Sequence, residues 1–451
     1  MDQLIVFRHP VCRSSRRGIS FGRLAACRTS GRDAGERLWN QAGTGLLELD
    51  NRDHHSCFPL ITDLSHLTYR SGNTVKSTTR IAFLFNHVAA HQVYHGAPVA
   101  FQLSRMAKNV EVAIISASPR IEETVQQIGR LYPGHKVTFV SARVPGLMRF
   151  AASLMRPVRL AEKDMVRRFS RRLYQDFDVL VVPEANSLKL RNFPELSDLK
   201  LVYTHHGAGD RSVGYHPRHR EFDLILCPGA KIRDRLASDL EIPDQRLAVT
   251  GYPKFEVVDR QAKRRGIFND QRPVVLYNPH FSNRESSWRE YGMQVLEYFA
   301  SQDDFNLIFA PHVLLYARGV RHGARSLRRF RGNPRIHIDT GSTASMDMTY
   351  TNAADIYLGD VSSQVYEFVR TPRPCIFLPS GGDDNPASRL HQSMGEVIEG
   401  IEALPQALDR AVDSHRDHYY SVQRELLRMT FDESGVPPSE RGARAILDWL
   451  S

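Results

Sequence analysis

The chain has 451 residues, a formal net charge of +10, 41% hydrophobic and 24% charged residues. A single core rarely grows past about 250–300 residues, so two domains are expected. No apolar run approaches the ~18 residues that span a bilayer, and the N-terminal stretch lacks a continuous apolar signal core, which argues against an integral or secreted protein. The positive charge suits nucleic acid, an acidic membrane surface or phosphorylated substrates, without choosing among them.

Residues 1–77 are rich in Arg, Ser and Gly with weak periodicity and read as a disordered or loosely structured extension. From Thr79 the chain alternates strand and helix. Short apolar runs of the kind buried parallel strands show fall at 81–85, 110–116, 137–141, 179–182 and 201–203. Helical stretches are expected at 96–108 and 119–131, and a long basic helix at 145–177. A second series of strands begins near Leu224, with runs at 224–226, 247–250, 274–277, 306–310, 336–338, 356–358 and 375–378, separated by helices such as 230–240, 288–300 and 362–370. The tail from 401 reads as helical. This pattern predicts an α/β protein of two Rossmann-like domains with parallel sheets facing a cleft, divided as 78–224 and 225–451. Of the five cysteines, Cys227 and Cys375 lie in apolar runs and read as small core residues, and no pair has metal-ligand spacing; a reducing, cytosolic compartment is expected.

Ligands of open parallel sheets bind beyond the carboxyl ends of the strands. Here those ends carry Thr204-His205-His206-Gly207, Gly251-Tyr252-Pro253-Lys254, Asn278-Pro279-His280, Pro311-His312 and Gly359-Asp360-Val361-Ser362-Ser363. Ser362 or Ser363 can cap the helix that follows, which accounts for the turn taken alone. The same free backbone N–H groups and hydroxyls also make an anion site. His206 can take a proton from an attacking hydroxyl, and His312 can donate to a phosphate oxygen as charge develops; His280 is a weaker candidate of that kind. For His206 taken alone, a strand-end histidine satisfied by local hydrogen bonds is the plainer reading. No histidine has metal-site spacing.

Two basic stretches stand out. Arg167, Arg168, Arg171 and Arg172 belong to one interleaved with apolar residues, open to lying on anionic lipid or to being a solvated helix face. Arg325 and Arg328 belong to another that follows His312 and is placed to guide a polyanionic acceptor. The second has little of the aromatic interleaving of single-strand binders, and no zinc, recognition-helix or RNP signature is present, so no nucleic acid is expected. No Walker A or nucleophile-elbow motif occurs.

In order along the chain, His206-Gly207, Gly251-Tyr252-Pro253, Leu276-Tyr277-x-Pro279, His312 and Asp360-x-Ser362-Ser363-x-x-Tyr366-Glu367-Phe368 resemble the CDP-glycerol glycerophosphotransferases of the teichoic-acid polymerase type. Arg373-Pro374-Cys375-Ile376-Phe377-Leu378 resembles that family's continuation. The resemblance covers roughly 200–380. It implies a GT-B architecture, a CDP-activated polyol donor, a polymer or lipid-linked acceptor, and work in the cytoplasm, with peripheral contact at the inner membrane face. It makes His206 the acceptor-activating base and has His312 assist at the phosphate. Gly207, Tyr252, Pro253, His280, Asp360, Ser362 and Ser363 would hold the donor. It implies no obligatory metal and no cofactor, and leaves the oligomeric state open. Lys254 and Ala310 stand where the family commonly carries Arg. Two alternatives stay open: a GT-B glycosyltransferase or nucleotide-sugar epimerase, and a non-catalytic polymer- or membrane-binding protein on the same scaffold.

Overall fold

The apolar runs become strands whose residues are almost wholly buried, because parallel sheets are covered on both faces. A computed structural model describes residues 78–86, 90–142, 166–168, 170–261, 266–317, 326–381 and 385–451. The expected extension over 1–77, most of the basic helix at 145–177, and Arg325 lie outside the described residues.

Thr79–Phe85 (β1), Val110–Ser116 (β2), Thr138–Ser141 (β3), Val179–Val182 (β4), Lys200–Thr204 (β5), Leu224–Cys227 (β6) and Leu247–Val249 (β7) form one sheet of order β3-β2-β1-β4-β5-β6-β7. Val274–Asn278 (β8), Asn306–Phe309 (β9), Ile336–Ile338 (β10), Ile356–Gly359 (β11), Cys375–Phe377 (β12) and Glu396–Val397 (β13) form the other, of order β10-β9-β8-β11-β12-β13. The strand pairs are parallel throughout, for example Phe83 with Ile114 and Leu276 with Ile308. Each sheet is therefore doubly wound, reversing direction beside its first strand.

The expected boundary at 224 is too early. Val202 pairs with Leu224 and Ile225 with Leu247, so β6 and β7 complete the first sheet. An apolar run announces a strand but says nothing of its neighbour. The tail is also not confined to the second domain. Helix Val93–Met106 (α1) buries Val93, Ala97, Ala100 and Phe101 on the first sheet, and helix Pro438–Leu450 packs Ala443 and Ile446 into that same core. The return is pinned where a Cβ on Gly229 would stand 2.3 Å from the Thr430 carbonyl oxygen, a gap only glycine leaves. Ser439 then donates from its N–H and its hydroxyl to the two oxygens of buried Glu256.

Cys227 and Cys375 are buried free thiols, and burial raises both well above the ordinary thiol range, so they are inert core residues. Among the described residues no helix is long and apolar enough to cross a membrane.

Candidate active site

The order of the second sheet sets its strand ends side by side. Gly359 of β11 pairs with Asn278 of β8, so Pro279-His280 and Asp360–Ser363 emerge together at the point where the sheet reverses. The first sheet presents His205-His206 beyond β5. The two sets meet at close range. A Cβ on Gly207 would lie 3.3 Å from the Ser363 hydroxyl, and one on Gly209 would lie 3.3 Å from the Ser363 Cβ. Two glycines thus let the loop after His206 rest on the serine turn of the other domain.

Between them lies a cavity of ≈ 340 Å³, within the size class of small-ligand sites. His206, Gly207, His280, His312, Ser362 and Ser363 all line it. The His206 ring lies 5.8 Å from that of His91, and His280 and His312 meet edge to face at 5.5 Å. His312 hangs from the strand-end loop through its N–H to Pro279 O, 3.0 Å. Leu314 N donates to His312 Nδ1 at 3.2 Å, and Ser282 N to His280 Nδ1 at 3.1 Å. In a neutral His312 ring this leaves the proton on Nε2, while His280 Nδ1 also lies 3.5 Å from Glu285 Oε2.

Ser362 Oγ accepts from Gln364 N at 3.2 Å, so it is Ser362 that closes the turn. Ser363 occupies the capping position without a side-chain cap bond and faces Gly207 instead. The helix Gln364–Phe368 has 5 residues, so its aligned dipoles are few and the hydroxyls matter more than the field.

Three residues expected to touch a donor do not line the cavity. Asp360 is fully buried; Oδ1 accepts from His280 N at 2.9 Å, and Oδ2 accepts from Ser287 N at 2.6 Å and Ser287 Oγ at 2.7 Å. It fixes the loop that carries His280. Burial lifts its carboxyl from 3.8 to about 6, against the pull of those hydrogen bonds. Tyr252 is buried and donates to Glu367 Oε1 at 2.8 Å, while Pro253 is the buried first residue of helix Pro253–Arg260. For Asp360 and Tyr252 the physical reason is that a polar side chain at a strand end can turn inward to a protein partner as readily as outward to a ligand; Pro253 has no polar side chain and opens the helix instead. The arginines lie elsewhere too. Arg167 is buried and donates to Asn186 O, Arg171 reaches Glu195, and Arg168, Arg172 and Arg328 are exposed away from the cavity lining.

Two buried ion-pair nodes join the domains, and sequence reasoning missed both. Lys254 Nζ lies 2.7 Å from each oxygen of Glu367. Lys231 Nζ donates to Asp210 Oδ1 at 2.7 Å, and Tyr366 OH and His391 N donate to Asp210 Oδ2 at 2.7 and 2.9 Å. Burial pushes Asp210 upward, but the bonds from His391, Lys231 and Tyr366 outweigh it and hold the carboxyl below its ordinary value. Arg211 adds a two-pronged pair to Glu285. The only available signal was that Lys254, Tyr366 and Glu367 sit inside the ordered motifs; their partners lie more than a hundred residues away in sequence. The consequence for the cavity is that the Lys and Arg lining it, Lys254 and Arg211, are each committed to a carboxylate. Hydroxyls and imidazole N–H groups are what the serine side offers an anion.

No protein-family model and no curated protein sequence matches the chain. Solved structures do. The S. aureus MnaA–UDP co-structure superposes with a TM-score of 0.55 at 12% identity, over 83% of this chain and 97% of that one. A putative UDP-N-acetylglucosamine 2-epimerase from Listeria monocytogenes gives 0.53 at 14% identity, over 83% and 96%. The wall teichoic acid polymerase TagF gives 0.51 at 13% identity, over 83% and 90%. The fold is GT-B. At such identities the likeness speaks for the architecture alone, two Rossmann-like domains about a cleft.

Proposed function

We propose that this GT-B protein is an enzyme that transfers a polyol phosphate, of the glycerol-phosphate type, from a CDP-activated donor to a hydroxyl of a polymer or lipid-linked acceptor. The observation that carries the reading is the meeting of His206, His312, Ser362 and Ser363, from both domains, on one cavity. His206 accepts the proton of the acceptor hydroxyl as its oxygen attacks the phosphorus that bears the polyol. The bond from that phosphorus to the bridging oxygen breaks, and CMP leaves. His312 Nε2–H and the Ser363 hydroxyl donate to phosphate oxygens as charge shifts onto the leaving group. Asp360, Tyr252 and Pro253 act by holding the loops, and the exposed Arg168, Arg171, Arg172 and Arg328 belong to any contact with an anionic acceptor or a membrane surface.

A second reading is nucleotide-sugar transfer or epimerisation, favoured by the likeness to the MnaA–UDP co-structure and to a putative UDP-N-acetylglucosamine 2-epimerase. Proton abstraction from carbon by a carboxylate would need an available Asp or Glu. The carboxylates that line the cavity, Asp210 and Glu367, are each bound to a lysine. Histidine chemistry at an oxygen fits the lining better. The test is CMP release from CDP-glycerol in the presence of a glycerol-phosphate-primed lipid acceptor. Turnover by the wild type that falls about 10²-fold or more in His206→Asn supports the reading. Equal turnover in the variant removes His206 from it.

A further inference from the structure

Three polar side chains on the first-domain wall of the cavity are buried and lack a hydrogen-bond partner at one atom. Gln92 closes the short turn Ala90–Gln92, and His95 stands three residues on in α1, on the same helical face. His205 precedes His206 beyond β5. These residues are 3%, 1% and 8% exposed, and all three line the cavity. Gln92 Oε1, His95 Nδ1 and His205 Nε2 have no partner among the described residues. An orphaned buried polar atom costs about 1–3 kcal/mol, so three converging on one wall call for a common partner.

We propose that this wall recognises an uncharged, hydroxyl-rich acceptor group, bound through Gln92, His95 and His205 beside His206. The inference rests on the transfer reading above and adds to it the chemistry of the acceptor's reacting end. Burial, reinforced by Lys254 and the neighbouring histidines, holds His95 far below the ordinary imidazole range, and burial with His219 and His206 does the same for His205. Both rings are therefore neutral at neutral pH, and each offers one donor and one acceptor nitrogen. The rings are also fixed in place. His95 stands edge-on to Tyr252 at 4.8 Å, and His205 is held between Tyr203 at 4.9 Å and His219 at 6.2 Å. A hydroxyl both donates and accepts, so a diol satisfies this mixed set. A phosphate or carboxylate only accepts and would meet the Gln92 carbonyl oxygen without a counter-charge, since Lys254 is held by both oxygens of Glu367.

The test is saturation-transfer NMR on the full chain with glycerol and methyl β-glucoside as neutral probes, and glycerol 3-phosphate and glucose 6-phosphate as their anionic counterparts. The wild type should bind the neutral member of each pair more tightly. Gln92→Leu should lose about five-fold of that binding, the worth of one hydrogen bond. Gln92→Asn, which keeps an uncharged amide oxygen, should lose less. CDP-glycerol affinity, measured in parallel, should stay within about two-fold in both variants. Stronger binding of the anionic probes, undiminished neutral binding in Gln92→Leu, or no neutral binding in the wild type (ordered water only) each overturns the proposal. Failure of CDP-glycerol to bind the wild type, with neutral-probe binding intact, would instead overturn the donor reading alone.

Discussion

Asp360 stands at a strand end beside the cavity, yet both of its oxygens are turned into the second domain toward His280 N and Ser287. Asp360→Asn would set an amide N–H against a backbone or hydroxyl donor, and is expected to cost about 1–3 kcal/mol. Its pH dependence has a definite sign. The folded carboxyl titrates at about 6 and the unfolded one near 3.8. Between those values the folded state holds a proton that the unfolded state has lost. The contribution is fully present below pH ~4 and lost as pH rises through ~6. The stability margin of wild type over Asp360→Asn should therefore shrink from pH 4.5 to 6.5 by about the effect of one titrating group and stay level above; urea midpoints across that range check it. A margin that widens with pH would contradict the burial argument. His206 and Asp360 also show what one residue's sequence context conceals. Both stand in the turn that follows an apolar run, and only the fold tells which of them faces the cavity.

The strands were legible because buried parallel strands are written as short apolar runs, and Ile81–Phe85, Val274–Tyr277 and Ile356–Leu358 stand at the expected places. Strand Glu396–Val397 is two residues long and half-polar, too short for a pattern to register. The neighbours of each strand were not legible either, which is why the first domain ended too early, before β6 and β7. Nor was the return of the last helix to the first domain, since amphipathicity marks a face to be buried and not the surface that buries it. Gly229 is the structural sign of that return. Gly229→Ala would drive a methyl into the Thr430 carbonyl and is expected to destabilise by about 1–3 kcal/mol. Gly214→Ala, where no atom lies within 4 Å of the added carbon, should leave the melting temperature within about a degree of wild type. Thermal melts of the two variants side by side check the docking of the tail; a Gly229→Ala protein as stable as Gly214→Ala would contradict it.

On the scale of the whole molecule, the site exists only because two doubly wound sheets point their carboxyl ends at each other and are held there by buried ion pairs. Lys254 with Glu367, and Lys231 with Asp210 and Tyr366, cross from domain to domain or brace the crossing. Removing one member leaves a buried charge alone, at about 3–5 kcal/mol. Lys254→Met is expected to uncouple the domains, so that calorimetric unfolding resolves into two transitions where the wild type shows one; a single unshifted transition would contradict this. The motif order along the chain anticipated a shared cleft. It could not anticipate that the cavity's cations would be neutralised internally, because charge counted along a sequence carries no record of pairing in space. That leaves the nucleotide as the deciding ligand. Titration calorimetry of the wild type with CDP-glycerol, CDP-ribitol and UDP-N-acetylglucosamine separates the two donor classes. A CDP-polyol is expected to bind at least about ten-fold more tightly than the UDP-sugar. Tighter binding of the UDP-sugar, with no measurable heat from either CDP-polyol, would contradict it.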